Sequence, residues 1–169
     1  MTDRDLTLLD LCSKGIEVAR IDKYMYMFQK FGFNLGYRYK ISVNGVKSRT
    51  CQKYIEECLS RGDIVVSENK LFCTQNGLVL LDKMCLTWTE LQKLSGIETK
   101  LNSLSTSDLD MLVVIDIIYH DVESEGGVQA LVDSRENIEK MVDNVCNAYT
   151  PSKFIELVGF MSELERTFK

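Results

Sequence analysis

Apolar residues recur at helical spacing in the first half of the chain and predict a series of short amphipathic helices. The first is predicted over residues 4–14, with Gly15 placed to end it. A second follows over residues 20–31 and a third over residues 48–60. Their apolar stripes are formed in turn by Leu6 and Leu9, by Ile21, Tyr24, Met25 and Phe28, and by Cys51, Tyr54, Ile55, Cys58 and Leu59.

Alternation and turn residues predict β-structure between and after these helices. Residues 37–43 alternate apolar and polar, which is typical of a half-buried strand, and Asn44-Gly45 is a turn signal. Residues 63–74 predict a β-hairpin, after which Thr74 opens a further helix. The inner face predicted for that helix consists of Leu78, Leu81, Met84 and Cys85.

This order of elements is that of a winged helix-turn-helix. The hairpin takes the place of the wing, and the helix over residues 48–60 takes the position of the recognition helix, which enters the major groove of DNA. The sequence therefore predicts a mainly α protein with a small β component. A winged-helix module in residues 1–86 is followed by a C-terminal helical bundle in residues 87–169, packed on it as one compact unit.

The second half of the chain is predicted to be helical. Thr87 and Glu90 have the spacing of a capping box that opens a helix to about residue 103, and Ser107 and Asp110 resemble another helix start. A dense apolar stretch follows and should be nearly buried. Further helices are predicted from Ser134 to about Ala148 and from Pro151 onward, the last one burying Phe154, Leu157, Val158, Met161 and Leu164.

Charge is distributed unevenly along the 169 residues, although the overall composition is ordinary for a globular protein. The net charge of −5 combines +3 in residues 1–86 with −8 in residues 87–169. Residues 20–61 alone carry +6. This asymmetry is compatible with a half that faces a polyanion beside an acidic half, and equally with two differently solvated surfaces.

Basic residues around the third predicted helix are the candidate nucleic-acid contacts. Positions 49, 52, 53 and 56 lie off the apolar stripe and should face outward, where Arg and Lys read guanine edges or hold phosphates. Glu56 and Glu57 on the same helix would repel DNA beyond its first turns, so a protein-binding role stays open. The predicted contact set is Lys47, Ser48, Arg49, Gln52, Lys53, Arg38, Lys40 and Lys70.

Enzyme chemistry has little support in the sequence. There is no phosphate-binding glycine loop and no nucleophile elbow. His120 and Asp121 are adjacent on a predicted helix and point in different directions, so they do not form a catalytic dyad. Acidic residues at 108, 110, 116, 121 and 123 favour a solvated face over a metal site. We therefore predict no catalytic residues, no metal and no cofactor.

The six cysteines and the start of the chain bear on the cellular compartment. With a single histidine and no Cys-x-x-Cys pair, the cysteines are interpreted as reduced core residues rather than zinc ligands or disulfides. The charged start does not resemble a signal peptide, and the longest apolar run, residues 111–115, is too short to span a bilayer. A cytoplasmic location is predicted.

Residues 5–85 contain several short motifs in a recognisable order. The run Ile21-Asp22-Lys23-Tyr24-Met25-Tyr26-Met27-Phe28-Gln29 has the pattern Lys-hydrophobic-x-Tyr-hydrophobic. It resembles a helix near the start of the YwgA-like and Panacea-type antitoxin proteins of bacteria and phages. Similar elements follow as Tyr37-x-Tyr39, Gly45-Val46-Lys47-Ser48, the hairpin over 63–73 and Thr74-Gln75-Asn76-Gly77. Val46 stands where those families have proline, and Cys73 where they have leucine.

The resemblance implies a winged-helix protein of toxin–antitoxin, phage or mobile-element biology, and it implies no catalytic residues. The leading hypothesis is a non-enzymatic DNA-binding transcription regulator or antitoxin-like protein. Its acidic helical half would mediate homodimer or partner contacts. The alternative is a protein-interaction module, such as a phage or mobile-element inhibitor of a host protein, which net acidity and the pair Glu56-Glu57 favour.

Overall fold

The computed structural model describes residues 2–42, 45–84, 87–118 and 150–168 and is mainly helical with a small antiparallel β component. This confirms the predicted fold class at that level. The helices are α1 (Asp3–Lys14), α2 (Ile21–Lys30), α3 (Arg49–Arg61), α4 (Gln75–Asp82), α5 (Trp88–Asn102), α6 (residues 106–118 of the described part) and α7 (Pro151–Phe168). The strands are β1 (Ile16–Glu17), β2 (Lys40–Ser42), β3 (Gly45–Lys47), β4 (Ile64–Ser67) and β5 (Lys70–Cys73).

Local sequence signals set the ends of these helices. The Ser48 hydroxyl accepts a hydrogen bond from the Cys51 amide at 3.2 Å and begins α3, and Gly62 ends it in the left-handed conformation with φ 73°. Thr87 and Glu90 form the reciprocal bonds of a capping box at the start of α5. The predicted starts of α3 and α5 are confirmed.

A three-stranded antiparallel sheet in the order β1-β5-β4 follows from the predicted hairpin. Strands β4 and β5 are joined by Glu68 and Asn69, whose positive φ values of 49° and 61° suit a two-residue hairpin turn. The short strand β1 adds to the other side of β5 through the pair Ile16 and Leu71, both of which are buried. The sheet therefore ties the segment after α1 to the hairpin after α3.

The strand predicted over residues 37–43 is shorter than expected and belongs to a second hairpin. Among the described residues of that range, only β2 is a strand. It pairs with β3, a strand that the sequence did not predict. The backbone of Tyr37 is held instead by the Gln29 side chain, which donates to its carbonyl at 3.0 Å and accepts from its amide at 2.7 Å. Because these groups already have partners, no strand is needed there.

The core is continuous across both halves of the chain. Tyr24 and Phe28 of α2 and Leu112 and Val113 of α6 are fully buried in one apolar cluster, so the dense stretch in α6 is buried as predicted. Helix α5 packs on α2, and α7 packs on α5. The buried side chains of α7 are Phe154, Leu157, Met161 and Leu164.

Two helix predictions need correction. The helix predicted to start at Ser107 begins at residue 106, because the Ser105 hydroxyl accepts from the Asp108 amide at 3.0 Å. In α4, Leu78 is exposed rather than on the inner face, because Gly77 is the residue that faces inward against the Asp63 carbonyl. Because Gly77 has no side chain, α4 can pack closely against the Asp63 carbonyl at this position. The neighbouring Leu78 then points toward solvent.

The thiols in the described part of the chain are free, and burial raises their pKa. Cys12, Cys51 and Cys58 are buried, and burial raises the pKa of the half-buried Cys73 to about 11. They are core thiols, as predicted. Cys85 and Cys146 lie outside the described residues, as do Asn44 and the helix predicted from Ser134. Within the described ranges, no helix has both the length and the apolar character needed to cross a membrane.

A pair of glycine substitutions tests this packing. In Gly77→Ala the new methyl group would lie 2.1 Å from the Asp63 carbonyl oxygen, so we expect a loss of about 1–3 kcal/mol in the free energy of unfolding. The control is Gly159→Ala in the interior of α7, where nothing lies within 4 Å and alanine should stabilise by about 1 kcal/mol. Urea denaturation measures both. Equal stability of the two variants would contradict the packing of α4 on Asp63.

Candidate nucleic-acid interface

A buried carboxylate fixes the start of α3. Asp22 of α2 is only 8% exposed, and its Oδ1 accepts a hydrogen bond from the Ser48 amide at 3.3 Å. The Gln52 side chain also hydrogen-bonds to this carboxylate. Burial raises the pKa of Asp22, an effect that the Ser48 amide and the nearby Lys23 oppose only in part. Asp22 therefore joins the beginning of α2 to the beginning of α3.

Two residues of the predicted contact set serve the fold instead. Ser48 is fully buried, and its hydroxyl caps α3 and contacts the Thr50 hydroxyl at 3.0 Å. Gln52 is half-buried and engaged by Asp22. The Ser48 side chain is directed at its own helix, because a cap must face the free amides of the first turn. The prediction that Ser48 contacts DNA is therefore corrected, because its hydroxyl has a structural role as the cap of α3.

Five predicted cations remain exposed and surround the start of α3. Lys40 and Lys47 are direct cross-strand partners in the β2–β3 hairpin, although like charges in that position disfavour pairing. The Arg38 amide donates to the Thr50 hydroxyl at 3.4 Å, which holds residue 38 beside the first turn of α3. The set, here named the basic surface, is Arg38, Lys40, Lys47, Arg49 and Lys53.

Lys70 is distant in sequence from the basic surface and belongs to a different β-sheet. It begins β5 of the three-stranded sheet, where its cross-strand partners are Ser67 and Glu17. Glu17 offsets its charge locally. Lys70 is exposed, as predicted, and it would contact a polyanion from the β4–β5 hairpin rather than from α3.

Other cations of the first half are neutralised by acidic residues of the second half. Lys23 pairs with Asp110 at 3.2 Å, and Lys30 pairs with Asp116 at 2.6 Å. In contrast, no member of the basic surface forms an ion pair with any residue the structure describes; Lys47 has only the longer-range attraction of Asp22. Five cations without an ion pair among the described residues are therefore grouped where α3 begins.

The acidic residues considered as metal ligands are used in ion pairs. Asp108 pairs with Lys153 at 3.2 Å, and Asp110 and Asp116 pair with lysines of α2. Within the described ranges, no group of three or more side chains is suited to hold a metal ion. His120, with Asp121 and Glu123, falls outside those ranges.

Charge changes sign along the exposed face of α3. Arg49 and Lys53 occupy its first turns, and the positive end of the helix dipole adds to their field. Glu56 and Glu57 follow on the exposed side and carry no ion pair in the described part of the protein. A polyanion would therefore be attracted to the first half of α3 and repelled by the second.

The sequence interpretation missed the β2–β3 hairpin and the role of Asp22. At Gly45 φ is +86°, and an added Cβ would lie 2.5 Å from the Asp110 Oδ1 atom of α6. The glycine allows the hairpin to approach α6 closely. The Asn44-Gly45 pair was the one signal of this approach, since a glycine after a strand suggests a close backbone contact. Nothing in the local pattern marks Asp22.

Substitution of Asp22 tests whether its carboxylate organises α3. Asp22→Ala leaves the Ser48 amide without a partner, so we expect a loss of about 1–3 kcal/mol. Asp22→Asn keeps an acceptor oxygen and removes a buried charge, so its cost should stay below about 1 kcal/mol. Urea denaturation gives the stabilities, and amide hydrogen exchange at Ser48 reports the local effect. An asparagine variant as unstable as the alanine variant would refute this role.

Comparison with protein-family models and with curated proteins finds no match for this chain. The resemblance of residues 5–85 to YwgA-like and Panacea-type antitoxins therefore stays a prediction, and the case for a function is carried by the geometry described above.

Proposed function

We propose that the chain is a non-enzymatic winged-helix protein of the cytoplasm that binds DNA through the basic surface. The element order α1, β1, α2, α3, β4, β5 supports the winged-helix interpretation, since a helix pair is followed by a hairpin. The sheet order β1-β5-β4 supports it further, because β1 fastens the hairpin beside α3. The β2–β3 hairpin lengthens the connection between the two helices.

One observation carries the proposal of DNA binding: five exposed cations around the start of α3 lack ion pairs among the described residues. Elsewhere in the fold, the buried or half-buried Lys23, Lys30 and Lys153 are paired with carboxylates. Placing Lys40 directly opposite Lys47 is unfavourable unless a polyanion neutralises both. Phosphates of the DNA backbone would supply that neutralisation.

In the proposed binding mode, the first turns of α3 enter the major groove. Arg49 and Lys53 would contact base edges or phosphates there. Lys40 and Lys47 would hold phosphates from the β2–β3 hairpin, and Lys70 would add a contact from the β4–β5 hairpin. The biological role proposed with this mode is that of a transcription regulator or antitoxin-like protein.

The proposal is tested by the double variant Arg49→Ala/Lys53→Ala. Its affinity for mixed-sequence duplex DNA should fall, and the slope of log K against log salt should become shallower by about 1 for each phosphate that is no longer neutralised. Fluorescence anisotropy over a salt series measures both. The matched control is Lys83→Ala/Arg166→Ala, which removes the same charge at exposed positions outside the basic surface. Equal effects of the two variants, or none, would overturn the proposal.

The second candidate function is a protein-interaction module that binds and modulates a partner protein without nucleic acid. The exposed pair Glu56-Glu57 favours it, because these carboxylates stand on the same face as Arg49 and Lys53. A mixed-charge face of this kind suits a partner with complementary charges of both signs.

Neutralising the two glutamates distinguishes the candidates. If α3 lies on DNA, Glu56→Gln/Glu57→Gln removes repulsion and should tighten DNA binding severalfold at low salt, by about 0.5–1 kcal/mol. Anisotropy at low and high salt measures the change, with Glu156→Gln on α7 as the control. Unchanged DNA affinity would count against the major-groove mode and favour the protein-binding module.

A further inference from the structure

An exposed apolar surface lies on α4 and α5, on elements that do not carry the basic surface. It is formed by Leu78, Val79, Trp88 and Leu91, and Trp88 is 73% exposed. Leu78 and Leu91 line one groove, and Leu91 and Trp88 line the next, so these three side chains adjoin one another. Contiguous apolar exposure is typical of an interaction site rather than of scattered surface residues. We refer to these four residues as the apolar surface.

Two grooves adjoin the apolar surface and share two lining residues, Leu91 and Asp10. One has a volume of about 790 Å³, and its apolar lining includes Trp88, Leu94 and Phe168. The other has a volume of about 380 Å³, and it extends along α4 past Met84. A protruding indole therefore stands at the edge of a groove that is large enough for an indole.

The charges at the two ends of this face are opposite. Asp82 borders the smaller groove at one end, and Lys100 borders the larger groove at the other. Between them, Asp10 lines both grooves and pairs with Lys14 of the larger groove at 2.8 Å. Lys100 is nearly half exposed despite its surface ion pair with Glu163 at 2.6 Å. When such a face is rotated by a two-fold axis near Leu91, its acidic end meets the basic end of the copy.

We propose that a second copy of this chain docks on the apolar surface and forms a two-fold symmetric dimer. A two-fold interface needs a patch that is complementary to itself. Here the protruding Trp88, the groove that would receive it, and an acidic and a basic residue all lie on one face. Trp88 of each protomer would enter the larger groove of its partner. No residue of the basic surface lines either groove, so the dimer leaves those cations accessible.

The single tryptophan of the chain makes the dimer directly observable, because Trp88 is its only indole. On dilution of the intact protein, sedimentation equilibrium should show the mass falling from two chains to one. Trp88 emission should shift to longer wavelength over the same concentrations. A single-chain mass at all concentrations would overturn the proposal, and so would a Trp88 shielded from acrylamide in the monomer, since the chain would then cover the surface itself.

Variants locate the interface. Leu91→Asp and Trp88→Ala alter exposed side chains, and each should raise the dimer dissociation constant by about tenfold or more. The matched control is Ile155→Asp on α7, an apolar residue 61% exposed and outside the surface, which should leave the dimer unchanged. Far-UV circular dichroism verifies folding. A dimer that persists in Leu91→Asp, or is lost equally in Ile155→Asp, would refute the assignment.

A charge exchange tests the two-fold pairing. Asp82→Lys and Lys100→Glu should each weaken the dimer severalfold, and the double variant should restore it, because the exchanged charges still meet across the axis. Additive weakening in the double variant would refute this geometry. These measurements are made without DNA, so the DNA-binding proposal and the dimer can fail independently.

Discussion

The buried ion pair between Lys30 and Asp116 joins the two halves of the protein. Both side chains are at most 7% exposed, and Asp116 also accepts a hydrogen bond from the Tyr26 hydroxyl at 2.7 Å. Burial alone would lower the pKa of Lys30, but the hydrogen bonds with Asp116 and Glu165 outweigh it and raise that pKa. Removing one partner of such a pair typically costs about 3–5 kcal/mol, because the other charge is then left buried without a partner. Either substitution is therefore expected to disturb the contact between α6 and α2.

This pairing explains the charge asymmetry along the chain. The acidic second half resembles an independent solvated surface in the sequence, yet Asp110 and Asp116 are used to neutralise lysines of α2. Arg49 and Lys53 of α3 and the lysines of the β2–β3 hairpin receive no such partners from the described part of the chain. A net charge of −5 therefore coexists with a local excess of positive charge. The three-dimensional arrangement, rather than the total, determines which polymer the protein attracts.

The features that the sequence predicted correctly depend on neighbouring residues. The Ser48 cap and the Glu68-Asn69 turn depend on patterns of four residues or fewer. They can therefore be predicted from the sequence without knowledge of the tertiary structure. The β2–β3 hairpin was missed because its position depends on residues that are distant in sequence. Gln29 holds the backbone of Tyr37 before the hairpin, and Asp110 of α6 lies against Gly45 within it. The sequence pattern is compatible with both a capping and a DNA-contact role for Ser48. In the structure Ser48 is buried and its hydroxyl accepts from the Cys51 amide, which identifies it as the cap.

The same arrangement bears on how the proposed interface would recognise DNA. Direct reading of bases needs side chains whose donors and acceptors are free to pair with a base edge. Asp22 engages Gln52, and Ser48 faces inward, so Arg49 is left on the first turn as the side chain with bidentate geometry toward guanine. Lysines act as point charges on phosphates. Because lysines outnumber arginines in the basic surface, the affinity on this mode comes mainly from backbone neutralisation, and sequence selection rests on few contacts.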